Sequence, residues 1–351
     1  MISTKWLYLF VAVLLFSSCK KEEQDDILKT KIYKDGYLVL CEGLFNQNNS
    51  SLDWVDTKND EVKKNIFEAI NGRPLGDIAN HMIEHGGKIY IAVSTSSTVE
   101  ILDKNTLKSI KQIQFNYNNK IQQPRELIAK DNHVYVTSFD GYVSAIDTNS
   151  LKVTKRVKVG RNPEGITISG NAIYVANSGG LDANNLDSTV MKIDITNFSV
   201  VDTFVVGKNP GDMIADDYGN VYVVKRGDYV QNPSELVQIN INSNAVTNLH
   251  LPATSISKKE DMLYLSFYNF NNGSSTVSRY NTATQAVDQE NYLSTSEVTT
   301  LYGVIPLEND NVICIDAMNY VNSGYLRFFN ENKQLKKSIQ VSLNPNTIIF
   351  K

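Results

Sequence analysis

Cysteine and histidine are scarce in this chain of 351 residues, which contains three cysteines and four histidines. Three cysteines are too few for the disulfide framework that stabilises many small secreted domains. The few histidines do not fall into a Ser-His-Asp pattern, so a hydrolase of that kind is not expected. A formal net charge of −4 provides no basic field to hold nucleic acid. These absences favour a protein that is not an enzyme and that does not bind nucleic acid.

Long hydrophobic runs are also missing, apart from one near the N-terminus. Residues 6–16 are apolar and follow Lys5, but this run is shorter than the roughly 20 residues that cross a bilayer as a helix. A basic start, a short apolar core and the small residues Ser17 and Ser18 predict a secretory signal peptide over residues 1–18. Cys19 follows directly, as in the bacterial lipobox, and is predicted to become the acylated first residue of the mature chain. A soluble exported protein with an incidental cysteine is the alternative.

A charged segment follows this cysteine. Residues 20–26 read Lys-Lys-Glu-Glu-Gln-Asp-Asp and contain no apolar side chain, so residues 19–30 are predicted to form a solvated acidic tether. The same seven residues resemble the acidic export signal of Bacteroidetes lipoproteins that are moved to the cell surface. This resemblance implies a lipid-anchored outer-membrane protein exposed at the cell surface, and a lipoprotein that faces the periplasm is the alternative.

The rest of the chain, residues 31–351, is organised as a repeat that is clearest between residues 159 and 210. The phrase Val-Gly-x-Asn-Pro begins at Val159 and again at Val206. Between the two copies lie four short stretches of alternating apolar residues, separated by Gly, Asn, Asp and Pro. Such alternation predicts strands, and four antiparallel strands before a restart predict one blade of a β-propeller.

Two further signals count the blades. A tyrosine or isoleucine within the second strand recurs about every 46 residues, a spacing typical of four-stranded blades. It falls at Tyr37, Tyr90, Tyr135, Tyr174, Tyr222, Tyr264 and Ile313. The third strand closes each time on Asp or Asn, whose side chains suit tight turns. These residues are Asp56, Asp103, Asp147, Asp194, Asn240, Asn281 and Asn330. Both signals indicate seven blades.

The two ends of the chain predict how the ring of blades closes. The first repeat starts at its second strand, around Tyr37, and lacks an inner strand. Residues 343–351 resemble residues 160–168, which open another repeat. The last residues can therefore supply the missing strand, which leaves no open edge in the ring. The sequence thus predicts an all-β fold, a seven-bladed β-propeller with four-stranded blades closed by the C-terminal strand.

One face of such a ring is the usual place for a ligand. The loops before the inner strands and the loops after the second strands meet on this face. Counting back from the tyrosine positions places seven residues around the mouth of the channel. They are Asn80, Arg125, Glu164, Asp212, Thr254, Gly303 and Asn346. With one arginine and two acids in an otherwise neutral set, the mouth favours a polar, uncharged ligand over a phosphate or a hard cation.

The longer loops after the second strands are rich in asparagine and carry aromatic residues. They span residues 42–50, 177–188, 226–233, 269–275 and 318–323. The candidate ligand-binding aromatics in these and neighbouring short loops are Phe45, Tyr229, Tyr268, Phe270, Tyr320, Phe139 and Tyr302. Rings supply contact area and amides supply hydrogen bonds, which suits a large, partly flat, polar molecule. The alternative is that each ring only covers its own loop.

Metal binding has weaker support in the sequence. His81 and His85 have the i, i+4 spacing of a metal pair, but they fall on a predicted strand and its turn, which favours a structural role. Residues 177–187 offer many oxygen atoms that could hold a structural calcium ion, without the regular spacing of a calcium loop. Glu164 and Asp212 could act as an acid pair or, with Asn80 or Asn346, bind a metal like that of propeller lactonases. We therefore predict no cofactor and keep structural calcium and a metal-dependent hydrolase as alternatives.

The repeat resembles a known family. Val-Gly-x-Asn-Pro-x-Gly-Ile from Val159, followed by Ile-Tyr-Val-Ala-Asn from Ile173, is similar to the hallmark of YncE-like seven-bladed propellers. The segments Leu-Val-Leu-Cys-Glu-Gly-Leu-Phe from Leu38 and Ile-Asn-Gly-Arg-Pro-Leu-Gly-Asp from Ile70 resemble a Bacteroidetes surface-lipoprotein branch of that family. This branch includes BtuG, which captures cobamides (vitamin B12 and its relatives) and passes them to the TonB-dependent transporter BtuB. The similarity covers residues 31–351.

The resemblance implies a function as well as a fold. We expect an outer-membrane lipoprotein, anchored through Cys19, that binds a cobamide and delivers it to a BtuB-like TonB-dependent transporter. A corrin is flat on its faces and rimmed with neutral amides, which suits the loops described above. A propeller that binds protein or glycan is the alternative from another class, and a lactonase-like hydrolase is a further one. No binding motif of the branch is carried over, so the site residues are inferred from position.

Overall fold

The fold is described from a computed structural model, which covers residues 33–117, 120–228 and 230–351. The predicted signal peptide, Cys19, the predicted tether and Tyr229 lie outside the described residues. Within the covered ranges, none of the helices is long and apolar enough to cross a membrane.

Seven antiparallel sheets of four strands make up the molecule, and we number them blades I to VII. Blade I contains β1 (Gly36–Cys41), β2 (Ser51–Asp56), β3 (Val62–Lys63) and β30 (Pro345–Phe350). Blades II and III contain β4 (Ala79–His85), β5 (Lys88–Val93), β6 (Thr98–Asp103), β7 (Ser109–Gln114), β10 (Pro124–Lys130), β11 (His133–Ser138), β12 (Tyr142–Asp147) and β13 (Lys152–Lys158). Blades IV and V contain β14 (Pro163–Ser169), β15 (Ala172–Asn177), β16 (Thr189–Asp194), β17 (Ser199–Val205), β18 (Pro210–Ala215), β19 (Asn220–Lys225), β20 (Glu235–Asn240) and β21 (Val246–Pro252).

Blades VI and VII complete the ring. They contain β22 (Ser255–Lys259), β23 (Met262–Tyr268), β24 (Ser275–Asn281), β25 (Ala286–Gln289), β26 (Leu301–Pro306), β27 (Val312–Asp316), β28 (Ser323–Phe329) and β29 (Leu335–Leu343). A small hairpin of β8 (Asn116–Tyr117) and β9 (Lys120–Ile121) connects blades II and III, and helix α1 (Ile66–Asn71) follows blade I. A 3-10 turn spans Glu308–Asp310. The predicted all-β, seven-bladed propeller with four-stranded blades is confirmed.

The recurring tyrosine of the second strand belongs to the core between blades. Tyr90, Tyr174 and Tyr222 are fully buried. Tyr90 packs with residues of β11, Tyr174 with residues of β19 and Tyr222 with residues of β23, each in the next blade of the ring. Burying a large apolar side chain contributes roughly 1.5–3 kcal/mol. The tyrosines from which the blades were counted therefore also form contacts that hold neighbouring blades together.

The turns after the third strands are built as the sequence predicts. The carboxylate of Asp103 accepts a hydrogen bond from the backbone N–H of Thr106 at 2.8 Å, and Asp147 accepts one from Ser150 at 2.7 Å. Blade VII differs by one residue, because β28 ends at Phe329 and Asn330 lies in the turn, where it accepts a hydrogen bond from the N–H of Gln334.

The ring closes through the two ends of the chain. Strand β30 pairs antiparallel with β1, with Tyr37 opposite Phe350 and Val39 opposite Ile348. Backbone hydrogen bonds between Gly36 and Lys351 extend the pairing by one step at 2.9 and 3.0 Å. The order β3-β2-β1-β30 makes β30 the inner strand of blade I, as predicted.

The strands alternate in direction, which sorts the loops between two faces of the ring. Inner strands begin, and second strands end, on what we call the mouth face. The turns between inner and second strands, and between third and outer strands, lie on the opposite face. Strand β1 starts from the opposite face, so residues 33–35 approach the ring on the side away from the mouth.

Two glycines let the inner strands converge at the mouth. Gly165 on β14 faces Gly211 on β18, and a Cβ placed on Gly165 would lie 2.0 Å from the carbonyl oxygen of Gly211. That distance is far inside van der Waals contact, so only glycine fits this crossing. The close approach brings the neighbouring residues Glu164 and Asp212 to the same part of the mouth.

Deleting residues 344–351 should abolish cooperative folding. The deletion removes the inner strand of blade I and exposes the backbone edge of β1 together with its apolar neighbours. We expect the truncated chain to lose its single thermal transition, followed by circular dichroism. A synthetic peptide of residues 344–351 should restore part of that transition by adding a strand, and a scrambled peptide should not. An unchanged transition in the truncated chain would contradict the closure argument.

Candidate ligand-binding face

Six of the seven inner strands in the described part of the chain have a break in strand pairing near their start, and the exception is β22. Pairing skips from Pro124 to Leu127 on β10, from Pro163 to Ile166 on β14 and from Pro210 to Met213 on β18. Similar breaks lie on β4, β26 and β30. A β-bulge leaves residues unpaired and redirects their side chains. The skipped residues include Asn80, Arg125, Glu126, Glu164, Asp212, Tyr302 and Asn346.

Charged residues at the mouth form a chain of alternating ion pairs. Arg125 contacts Glu164 through Nε at 3.0 Å and Nη2 at 3.2 Å. Arg226 contacts Glu164 at 3.7 Å and Asp212 at 3.0 Å. We call Arg125, Glu164, Arg226 and Asp212 the ion-pair chain. It adds a second arginine to the set expected from the sequence, and its two positive and two negative charges balance.

A second network surrounds the carboxylate of Glu42. It accepts hydrogen bonds from the hydroxyl of Tyr302 at 3.1 Å and from the side-chain amide of Asn346. Asn346 also donates to the carbonyl oxygen of Asn80 at 2.8 Å, and Asn80 donates to that of Arg125 at 3.2 Å. Burial raises the pKa of Glu42 above its usual range. The contacts run without a break from blade VII, through blades I and II, to the ion-pair chain.

Glu126 and His81 lie next to this network and are uncharged at neutral pH. Burial, aided by the nearby carboxylates of Asp212 and Glu164, raises the pKa of Glu126 to about 8. Burial lowers the pKa of His81 to about 4. His81 accepts a hydrogen bond at Nδ1 from the N–H of Leu127 at 3.1 Å, which fits the structural role expected for it.

The aromatic candidates gather mainly on blades VI and VII. Tyr268 and Phe270 pack edge to face with ring centroids 5.1 Å apart, and Tyr302 and Tyr320 do so at 6.1 Å. Phe45 stands on the loop of the neighbouring blade I and is 65% exposed. Such geometries are typical of stable aromatic pairs, and four of the predicted rings therefore form two pairs on adjacent blades.

Phe139 belongs to the other side of the mouth. Its ring lies under the guanidinium of Arg125, with 4.5 Å between the guanidinium carbon and the ring centroid. It also lines a pocket of roughly 220 Å³ between blades IV and V, together with Ala183, Leu186 and Arg226. Typical small-molecule pockets enclose about 300–1,000 Å³. A large ligand would therefore lie across the mouth face instead of being enclosed in this pocket.

All five long loops of the mouth face present a large, exposed apolar side chain. These residues are Phe45, Leu181, Val230, Phe270 and Val321. Exposed apolar residues scattered singly need no explanation, but a ring of them around one opening is typical of a binding surface.

The loop proposed to hold calcium uses much of its oxygen for its own backbone. The carboxylate of Asp187 accepts hydrogen bonds from the N–H groups of Ser188 and Thr189, and Asp182 accepts one from Asn184. Among the residues that the structure describes, no group of three or more His, Cys, Asp or Glu side chains could hold a metal ion.

Three residues of the mouth were missing from the sequence-based set. Glu42 and Arg226 are the first residues after the second strands β1 and β19, and Glu126 shares the bulge with Arg125. The first residue after each second strand is thus a useful signal, because Phe139 holds the same position after β11. Thr254 and Gly303 lie at the start of the inner-strand regions of blades VI and VII, as expected.

A ring of seven four-stranded blades around a polar mouth defines this protein as a seven-bladed β-propeller. The chain belongs to the family described as "Domain of unknown function (DUF5074)", whose model matches residues 35–351. A comparison with curated proteins found no match.

Several solved structures share the fold. A quinonprotein alcohol dehydrogenase-like protein from Bacteroides thetaiotaomicron is 16% identical, with a TM-score of 0.66 over 92% of this chain and 79% of that one. Hydrazine synthase of Kuenenia stuttgartiensis is 16% identical, with a TM-score of 0.57 over 76% of this chain and 87% of that one. BamB from Moraxella catarrhalis is 14% identical, with a TM-score of 0.53 over 87% and 82%. These likenesses describe the fold alone.

Replacing Glu126 by Gln should stabilise the protein at alkaline pH. The folded-state pKa of Glu126, about 8, is above its ordinary value of 4.5, so the folded state holds a proton that the unfolded state releases. Stability from this group is therefore full below about pH 4.5 and is lost as the pH rises towards 8. Thermal melts should show Glu126→Gln above wild type at pH 8 and equal to it at pH 4.5. Glu297→Gln, a matched substitution at an exposed position, should melt at the same temperature as wild type at both pH values. If the melting temperature of Glu126→Gln changes with pH in parallel with that of wild type, the predicted effect of Glu126 is wrong.

Proposed function

We propose that this propeller is a non-enzymatic binding lipoprotein of the outer membrane, exposed at the cell surface. It captures a cobamide on its mouth face and delivers it to a BtuB-like TonB-dependent transporter. The observation that carries this proposal is the presence of two aromatic pairs, on blades VI and VII, beside asparagine-rich loops of blades VI, VII and I. The resemblance to YncE-like propellers and to the branch that includes BtuG suggests the same ligand class.

The shape and polarity of the mouth face suit a cobamide. A corrin offers flat apolar faces and a rim of neutral amides. Tyr268, Phe270 and Tyr320 supply aromatic area, and loop asparagines supply hydrogen bonds to amides. The open pocket of roughly 220 Å³ leaves such a ligand on the surface, from which it can be handed on.

The ion pairs of the mouth carboxylates favour a site that binds a ligand without catalysing a reaction. A metal-dependent lactonase would need Glu164 and Asp212 to face a shared ion. Arg226 instead contacts both carboxylates, and Arg125 occupies the other side of Glu164. An acid that is held between two guanidinium groups is a poor metal ligand and a poor general base.

The course of the chain supports anchoring by Cys19 with the mouth turned outwards. The described chain begins at Tyr33 and enters blade I from the opposite face. Tyr33 is buried against Trp54, with ring centroids 5.2 Å apart, so this residue already packs against blade I. The segment from Cys19 to Tyr33 can span at most about 50 Å. That length allows the propeller to approach a neighbouring transporter while it stays attached to the membrane.

Binding can be tested by titration calorimetry with cyanocobalamin and dicyanocobinamide. We expect measurable heat with wild type and a loss of about 1–3 kcal/mol, or roughly 5- to 150-fold in affinity, in Phe270→Ala and Tyr320→Ala. Tyr218→Ala removes a tyrosine that is 48% exposed on the opposite face and should bind as wild type does. If neither compound gives measurable heat or a thermal shift, the cobamide is removed from the proposal.

Anchoring can be tested separately. Cys19→Ser should shift the protein from the membrane fraction to the soluble fraction and should abolish labelling by a fatty-acid analogue, because acylation needs the cysteine sulfur. Surface exposure is measured by protease digestion of intact cells. A membrane-bound, unlabelled Cys19→Ser protein would contradict lipid anchoring at this residue.

A further inference from the structure

The mouth face is divided into two chemically different halves. Residues 45–49, 269–274 and 318–322, on blades I, VI and VII, contain no charged side chain, and we call them the neutral arc. The half on blades III to V carries the ion-pair chain and the pair between Lys208 and Asp228. The three segments of the neutral arc lie on adjacent blades, since blade VII is flanked by blades VI and I in the closed ring.

Hydrogen bonds fix the loops that make up the neutral arc. The side-chain amide of Asn344 donates to the carbonyl oxygens of Gly43 at 2.9 Å and Tyr320 at 3.1 Å, which ties the loops of blades I and VII together. In blade VI, the N–H of Asn269 donates to the carbonyl oxygen of Ser274 at 2.8 Å and closes that loop. A surface that is organised before binding loses less entropy when a ligand arrives.

Four asparagines of the arc accept hydrogen bonds from the loop backbone through their side-chain oxygen. The Oδ1 atom of Asn49 accepts the N–H of Leu44, that of Asn269 the N–H of Asn271, and that of Asn272 the N–H of Ser274. Asn319 accepts two N–H groups, from Val321 and Asn322.

The Nδ2 group of each of these four asparagines donates to no other residue within the described ranges. These four side chains therefore offer hydrogen-bond donors, while their own acceptor oxygens are occupied by the loop backbone.

We propose that the neutral arc recognises an uncharged ligand through oxygen acceptors on that ligand. The four Nδ2 groups donate to carbonyl or hydroxyl oxygens, and the neighbouring rings of Phe45, Tyr320 and Phe270 cover its apolar faces. An anion is disfavoured here because the arc contributes no cation, and the arginines of the mouth are paired with carboxylates. The ligand class is thus a neutral molecule with amide carbonyls or sugar hydroxyls. The inference rests on the proposed function of this face and narrows where and how the ligand is bound.

Asn→Asp substitutions test the donors without disturbing the turns. Asp keeps the Oδ1 acceptor that closes each turn and replaces the donor group by a second acceptor oxygen. Asn269→Asp, Asn272→Asp and Asn319→Asp should therefore melt as wild type does and bind at least tenfold more weakly. Asn281→Asp is the matched control. Asn281 caps a turn on the opposite face by accepting the N–H groups of Ala283 and Thr284, and its substitution makes the same chemical change.

The probes are dicyanocobinamide, which has the amide rim without a phosphodiester, and a panel of neutral oligosaccharides. Weaker binding of either probe by the arc variants, with the Asn281→Asp control unchanged, supports the inference. If only an oligosaccharide behaves in this way, the arc inference stands and the cobamide function fails. If dicyanocobinamide binds wild type and all arc variants equally, the function stands and the arc inference is overturned. No binding of any probe to wild type overturns both.

Discussion

The pairing of β30 with β1 is the contact on which the rest of the molecule depends. It joins the two ends of the chain, removes the open edge of blade I and places Ile348 in the core beside Val39. It also completes the mouth, because Asn346 on β30 bridges Glu42 of the first blade and Asn80 of the second. Folding and site assembly are therefore one event, since the last residues supply both a structural strand and a member of the mouth network.

Charge balance makes a mouth with several ionisable groups compatible with the neutral ligand that we propose. The ion-pair chain alternates positive and negative groups, so each charge is satisfied by its neighbours instead of by solvent or ligand. Glu126 and His81 are held uncharged by burial. Breaking a partly buried pair leaves a charge without a partner, which is costly, so the chain resists the approach of ions. In the function that we propose, this half of the mouth gives rigidity and the neutral arc gives recognition.

Asparagine has two roles in the neutral arc, and the two arise from the same side chain. Its oxygen satisfies backbone N–H groups that a tight loop cannot pair otherwise, as Asn319 does for Val321 and Asn322. Its nitrogen is then left as a donor that the loop itself does not use. A loop that is stabilised in this way offers hydrogen-bond donors without any charged residue. The low charge of these loops is thus linked to how they fold.

The sequence by itself determined the strands, the number of blades and the closing strand, and it located the start of each inner strand. These features follow from the alternation of apolar residues, from turn residues and from a repeat around tyrosines such as Tyr90 and Tyr174. All three are local patterns, which can be recognised from residues that are close together in the chain. Only the tertiary structure decided the contacts of the mouth. Arg226 meets Glu164, and Tyr302 meets Glu42, because bulges and loops of different blades converge in space. No local sequence pattern shows that two side chains far apart in the chain will be in contact. The ion-pair chain and the neutral arc therefore could not be predicted from the repeat alone.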